Sequence, residues 1–170
     1  MNGKRIKQEG HHGEAASSWQ PAAGSKLIQP SMDRTAERGH QMIKSFKDLI
    51  VYQKSFEQAM EIFDLTKSFP KIERYSLTDQ IRRSSRSVCV NIGESWRKRR
   101  YPAHFISKLT DADAEATETM IWLDFSLACK YLRQEYHEVL STRYDEIGKM
   151  LGSMMISPDK FCYKDPIKPR

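Results

Sequence analysis

Gln80 to Arg100 reads QIRRSSRSVCVNIGESWRKRR, with seven arginines or lysines and a single acid, Glu94. On a helical wheel of roughly 100° per residue, with Arg82 at zero, these side chains and Leu77 just ahead of them separate into two sets. Leu77, Ile81, Val88, Ile92 and Trp96 fall between about 220° and 320°, which makes one buried side. Arg82, Arg86, Arg97 and Arg100 fall between about 0° and 60°, with Gly93 among them. The stretch therefore reads as one amphipathic helix carrying a line of cations.

The segments on either side continue the helical period. From Lys47 to Ser68, the residues Leu49, Tyr52, Phe56, Ala59, Met60 and Phe63 recur at three- and four-residue steps and predict one apolar stripe. Phe69-Pro70 interrupts it, because proline lacks an amide donor and disfavours helix at the residue before it. Ser76 followed by Asp79 resembles a capping box opening the second helix. Tyr101-Pro102 places proline at the start of a third helix, read from His104 through Leu132. A fourth, EYHEVLSTRYDEIGKMLGSMMI, carries Tyr136, Leu140, Tyr144, Ile147, Leu151 and Met154 on one side. No segment alternates with a period of two. Long amphipathic helices joined by short links imply an all-α, antiparallel up-and-down four-helix bundle over residues 42–157. Residues 1–41 lack a sustained apolar period and are expected to form a disordered leader. Residues 158–170, rich in proline, are expected to form a flexible basic tail.

The charge is unevenly distributed. The chain has 170 residues, a net charge of +6 and 39% hydrophobic residues. Lys71 to Arg100 alone holds nine basic and three acidic residues, so this one segment matches the net charge of the whole chain. A basic balance of this kind favours polyanionic partners such as nucleic acid. A second reading stays open. Asp111, Glu115 and Glu118 share one face of the third helix and offer partners for the arginines. The basic stripe would then pair with its own acids, or with a protein partner, in an assembly module. The run Arg97-Lys98-Arg99-Arg100 exceeds the acids near it in sequence and favours the polyanion reading.

The third helix has a second apolar stripe, Trp122, Phe125, Cys129 and Leu132, beside the inner one set by Phe105, Leu109, Ala112, Ala116, Leu123, Leu127 and Tyr131. A helix apolar on two sides needs two partners, so self-association is expected, the alternative being a broad core face covered by a long loop. Cys89, Cys129 and Cys162 have neither zinc nor redox spacing. Cys89 and Cys129, inside helical patterns, read as small apolar fillers, which suits a reducing cytoplasm. No signal-peptide pattern and no run of roughly 20 apolar residues is present, so no membrane association is expected.

Catalytic motifs are missing as well: there is no glycine-rich phosphate loop, no HExxH, no GxSxG and no paired CxxC. His104, Asp111, Glu115 and Glu118 lie on successive turns, but a di-metal bundle needs ligands converging from several helices. They are read as a solvated or salt-bridged face, and no catalytic residue, metal or cofactor is expected.

Across roughly Phe46 to Met155 the sequence resembles the bacterial four-helix-bundle proteins encoded in ribosomal-RNA intervening sequences. These are ribosomal-protein-like and related to the accessory proteins of diversity-generating retroelements. The likeness is carried by Phe69-Pro70, Glu73, Tyr75, Leu77, Gln80, Arg82-Arg83, Ser87, Asn91-Ile92 and Glu94. Two departures stand out: Ser95 replaces the usual glycine after the glutamate, and DADAEA replaces a small Gly-Ser pair in the third helix. The resemblance implies a ring, typically a pentamer, with a basic surface that contacts nucleic acid and, in the retroelement relatives, a reverse transcriptase. By matching position Arg82, Arg83 and Arg86 become nucleic-acid contacts, extended by Arg97, Lys98, Arg99 and Arg100 of the same basic segment. Asn91 and Glu94 become structural or interface residues, alongside Trp122, Phe125 and Cys129. The expected function is a non-enzymatic, oligomeric, cytoplasmic protein that binds RNA or DNA through phosphates.

Overall fold

The structure is a computed structural model that describes residues 43–164; the leader expected over residues 1–41 lies outside them. Four helices account for most of the described chain: α1 (Ile50–Leu65), α2 (Leu77–Lys98), α3 (Pro102–Ala128) and α4 (Gln134–Ile156). They run up and down in sequence order, and among the described residues there is no strand. Among the described residues no helix is long and apolar enough to cross a membrane.

Local chemistry sets each boundary. A 3-10 turn at Phe46–Asp48 leads into α1, and its cap is reciprocal: the Ser45 hydroxyl accepts from the Lys47 amide while Asp48 accepts from the Ser45 amide. At the far end of α1 the Thr66 hydroxyl donates back to the Ile62 carbonyl at 2.7 Å. Phe69 then turns extended ahead of Pro70, as the residue before a proline tends to. The capping box expected at Ser76 and Asp79 does not form. Ser76 instead donates its hydroxyl to the Glu73 carboxylate, which also accepts the Leu77 amide at 3.5 Å. Tyr131, from the link between α3 and α4, donates its hydroxyl to the other Glu73 oxygen at 3.2 Å. One carboxylate thus ties together two links at the same end of the bundle.

α3 is shorter than its sequence pattern. It stops at Ala128, and Lys130 takes a left-handed φ of 61°. The Lys130 amide donates to the Leu127 carbonyl and the Tyr131 amide to that of Ser126, the two bonds of a Schellman stop. Cys129 is therefore an exposed helix-end residue rather than an interior filler. Leu132, buried in the link, closes against the bundle's own core instead of continuing an outer stripe.

The core is built from the inner faces of all four helices. Val88, Ile92, Phe105, Leu109, Ala112, Leu140, Ile147 and Leu151 are fully buried, with Ile81 and Leu123 nearly so. α2 and α3 share the most extensive contact. Small residues are buried on both helices, Ser95 on α2 and Ala112 and Ala116 on α3, and the Ser95 hydroxyl is satisfied by the Ile92 carbonyl at 2.7 Å.

α1 turns differently from the expected stripe. Its buried residues are Val51, Ser55, Gln58, Ala59 and Ile62, while Phe56 and Met60 are exposed. Two adjacent lines of α1 are apolar, and the true inner line is interrupted by polar residues. Ser55 is tolerated there because its hydroxyl donates to the Val51 carbonyl. Gln58 accepts from Arg143 of α4, whose guanidinium also pairs with Glu61 at 2.5 Å. Lys54 with Glu146, and His137 with Asp124, add further ties to α4.

Past Ser157 the described chain stays on the bundle as far as Phe161, at the start of the tail expected over residues 158–170, whose residues 165–170 lie outside the described ones. A 3-10 turn at Pro158–Lys160 returns Phe161 to stack on Phe105, with ring centres 5.9 Å apart. Apolar packing supplies what the proline count could not indicate.

One buried group is mismatched. The Tyr144 hydroxyl, 1% exposed as a residue, makes no hydrogen bond of good geometry among the described residues, and the nearby Thr119 hydroxyl, which already donates to Ser84, only slightly offsets its burial. Leaving such a group unsatisfied costs about 1–3 kcal/mol. Tyr144→Phe is therefore expected to raise the unfolding free energy by about 1 kcal/mol, measured by urea titration. A loss of stability would show that the hydroxyl has a partner in solution.

Candidate nucleic-acid interface

α2 positions the cations. Its inner face is locked by Leu77, Ile81, Val88, Ile92 and Trp96, all buried, so the arginine line must face away from the core. Arg83, Arg86, Arg97, Lys98 and Arg100 are exposed, and Arg82 and Arg99 are half-buried.

The cations differ in their surroundings. Arg82 closes the end of α1: its Nε donates to Thr66 Oγ1 at 2.7 Å and an Nη to the Phe63 carbonyl at 3.4 Å. A cation at a helix C-terminus is favoured by the helix dipole, so Arg82 has a structural task. Burial, then the neighbouring Arg86, lowers its pKa. The guanidiniums of Arg82 and Arg86 lie 4.9 and 5.5 Å from the centre of the Phe63 ring. Arg83 donates to Gln80 of its own helix. Arg99 donates to the Trp96 carbonyl and lies over the Trp96 ring.

The line is also divided. Phe46 covers Gly93, its ring 3.6 Å from where a Cβ would sit. Arg83 and Arg86 thus form one patch and Arg97 to Arg100 another. Arg86 and Arg97 are about 16 Å apart along the axis, at roughly 1.5 Å per residue.

Among the described residues the acids of α3 form no ion pair with Arg83, Arg86, Arg97 or Lys98. Asp111 pairs with Lys108 of its own helix at 3.1 Å. Glu118 accepts the indole N–H of Trp122 at 3.0 Å. Glu115 feels Arg83 electrostatically, yet burial and Glu118 outweigh that influence and raise its pKa. Among the described residues, Arg82, Arg83, Arg86, Arg97, Lys98 and Arg99 form no ion pair with an acid.

Asn91 and Glu94 join α2 to α3. Lys108 donates to Asn91 Oδ1 at 3.2 Å and pairs with Glu94 at 2.9 Å. Hydrogen bonding from Lys108 lowers the Glu94 pKa. Lys108 was not singled out by the sequence; its only signal there is the three-residue step to Asp111. Of the expected outer stripe, Trp122 is half-buried beside Phe125, which is 52% exposed. The exposed apolar surface extends elsewhere, with Phe56 and Met60 on α1 and Val90 on α2. Ile72 and Tyr75, at 87% and 84% exposed, project from the link between α1 and α2. His104 lies against Tyr101, and among the described residues no group of three or more His, Cys, Asp or Glu could hold a metal ion.

These features define an all-α bundle whose cations gather on one helix. The model of the 23S rRNA-intervening sequence protein family matches residues 47–153, and the chain belongs to that family. A solved structure from Bacteroides thetaiotaomicron, a protein of unknown function from the S23 ribosomal protein family, is 34% identical to it. The match covers 62% of this chain and 98% of that one, with a TM-score of 0.57. No curated protein matches the chain.

Proposed function

We propose that the protein is a non-enzymatic, homo-oligomeric binding protein that holds nucleic acid through phosphate contacts from α2. The observation carrying this reading is the absence of acid partners for the α2 cations among the described residues, while nearby acids are committed elsewhere. Exposed cations without an ion pair, Arg83 and Arg86 in one patch and Arg97 and Lys98 in the other, suit a polyanion with regularly spaced charge. The same observation weakens the alternative, an assembly module whose basic stripe pairs with its own acids. The non-enzymatic part is supported by the polar groups themselves: Asn91, Glu94 and Asp111 are engaged by Lys108 between α2 and α3, and the shallow hollow that Glu94 also lines is otherwise walled by Phe46, Tyr52, Cys89, Val90 and Gly93 beside Arg97 and Lys98.

Self-association, with a pentameric ring as the number implied by the family resemblance, is supported by the apolar residues left exposed on α1, α2 and α3. The function is tested by measuring duplex affinity against salt concentration. A log-linear fall is expected, steepening by about 0.9 for each phosphate neutralised. Little preference among sequences is expected, since phosphate contacts carry no base information. Affinity independent of salt, or no binding in low salt, would remove this reading. Sedimentation of the same sample reports assembly, and a monomer at micromolar concentration would remove the ring.

A further inference from the structure

The end of the bundle where α2 passes into α3 carries more than charge. Tyr101 and Tyr163 are 51% and 54% exposed, unlike the core ring Phe105, which is fully covered. Each open ring has an arginine against it: Arg100 lies 5.6 Å from the centre of Tyr101, and Arg99 lies 4.7 Å from that of Tyr163. Arg99 is itself held 3.9 Å from the Trp96 ring centre, which fixes its position between two aromatic groups.

Both tyrosines are anchored through their backbones. The Tyr101 amide donates to the Lys98 carbonyl at 3.0 Å, and its own carbonyl accepts from His104 and Phe105. Pro102 stiffens the same turn by fixing its own φ. The Tyr163 amide donates to the Arg99 carbonyl at 3.4 Å, and the stack of Phe161 on Phe105 holds that segment down. The rings are therefore positioned before any ligand arrives, which reduces the ordering cost of binding.

We propose that this end of the bundle is a stacking site for unpaired nucleobases, so that the preferred ligand is single-stranded nucleic acid rather than duplex. The proposal rests on the phosphate-binding reading of α2 and names the form of nucleic acid it takes. Bases in a duplex hide their faces against each other, and exposed rings gain nothing from them. Bases in a single strand present a π-face to aromatic side chains, while cations follow the backbone. Tyr101 and Tyr163 supply the rings here, and the exposed Arg97 and Lys98 supply the charges. The acid of the same C-terminal segment, Asp159, forms no ion pair with them among the described residues.

The test compares an oligouridine with a duplex of equal charge, each labelled and titrated with the full chain. Tyr101→Leu with Tyr163→Leu keeps apolar bulk and removes both rings. Oligouridine affinity is expected to fall about tenfold or more, with duplex affinity and the salt slope unchanged. Tyr101→Phe with Tyr163→Phe keeps the rings and is expected to bind oligouridine as the wild type does. Wild-type affinity in the leucine variant overturns the proposal, as does an equal loss on both ligands. Wild-type protein that binds duplex but not oligouridine overturns the stacking site alone. Wild-type protein that binds neither overturns the phosphate reading as well.

Discussion

Between pH 9 and pH 11 the protein is expected to lose about 3 kcal/mol of stability, at about 1.4 kcal/mol per unit of pKa difference. The principal group is Cys89, buried in α2, whose thiol is pushed up from 9.0 to about 11, chiefly by burial. An unfolded thiol releases its proton near its ordinary pKa, whereas the folded one keeps it. The unfolded state then binds fewer protons, so unfolding free energy falls as pH rises. The stabilisation is fully present below the unfolded pKa and is gone once the pH has passed the folded one. Burial, and then the nearby Cys89, also raises the pKa of Tyr144. Its effect has the same sign and begins near the ordinary tyrosine pKa. The decisive measurement is a comparison of urea unfolding in wild type and Cys89→Ala, which isolates the thiol. The variant is expected to start lower at pH 7 because a buried side chain is truncated, then fall less steeply between pH 9 and pH 11. Parallel curves for the two proteins would show that the thiol titrates alike in both states.

The sequence made some of this architecture legible and hid the rest for identifiable reasons. In α2 the contrast between arginine and aliphatic residues is so sharp that Leu77, Ile81, Val88, Ile92 and Trp96 could be placed inside, and all are buried. In α4 the same holds for Leu140, Tyr144, Ile147, Leu151 and Met154. α1 misled because Phe56 and Met60 are more apolar than the Ser55 and Gln58 that are actually buried. Hydrophobicity ranks side chains by transfer cost, and it cannot see that Arg143 on a distant helix will satisfy Gln58. The end of α3 was hidden because lysine at Lys130 gives no sign of the left-handed conformation it adopts, where glycine would have. The basic stretch was visible as charge but not as two patches. Only the packed structure brings Phe46 onto Gly93, and only it returns Tyr163 to Arg99.

Replacing Arg83, Arg86, Arg97 and Lys98 with glutamine is expected to abolish most salt-sensitive binding while leaving the fold intact. All four are exposed, and among the described residues none pairs with an acid. Four neutralised duplex phosphates give a slope of about −3.6 in log affinity against log salt, so affinity falls about a hundredfold between 50 and 200 mM. Removing the four cations should flatten that slope towards zero and lower the low-salt affinity by at least a comparable factor. Arg82→Gln serves as the contrasting variant. Arg82 bonds to Thr66 and the Phe63 carbonyl at the end of α1, so its loss should reduce stability by about 1–2 kcal/mol with little change in slope. The rival reading, in which the exposed cations join subunits or hold a protein partner, expects a different pair of results. The fourfold variant would then keep its nucleic-acid affinity and lose mass in sedimentation. Measuring slope, mass and unfolding midpoint on the same two proteins separates phosphate contact, assembly and helix closure, because each moves a different one of the three. A fourfold variant that binds duplex with the wild-type slope would place the phosphate contacts somewhere other than α2.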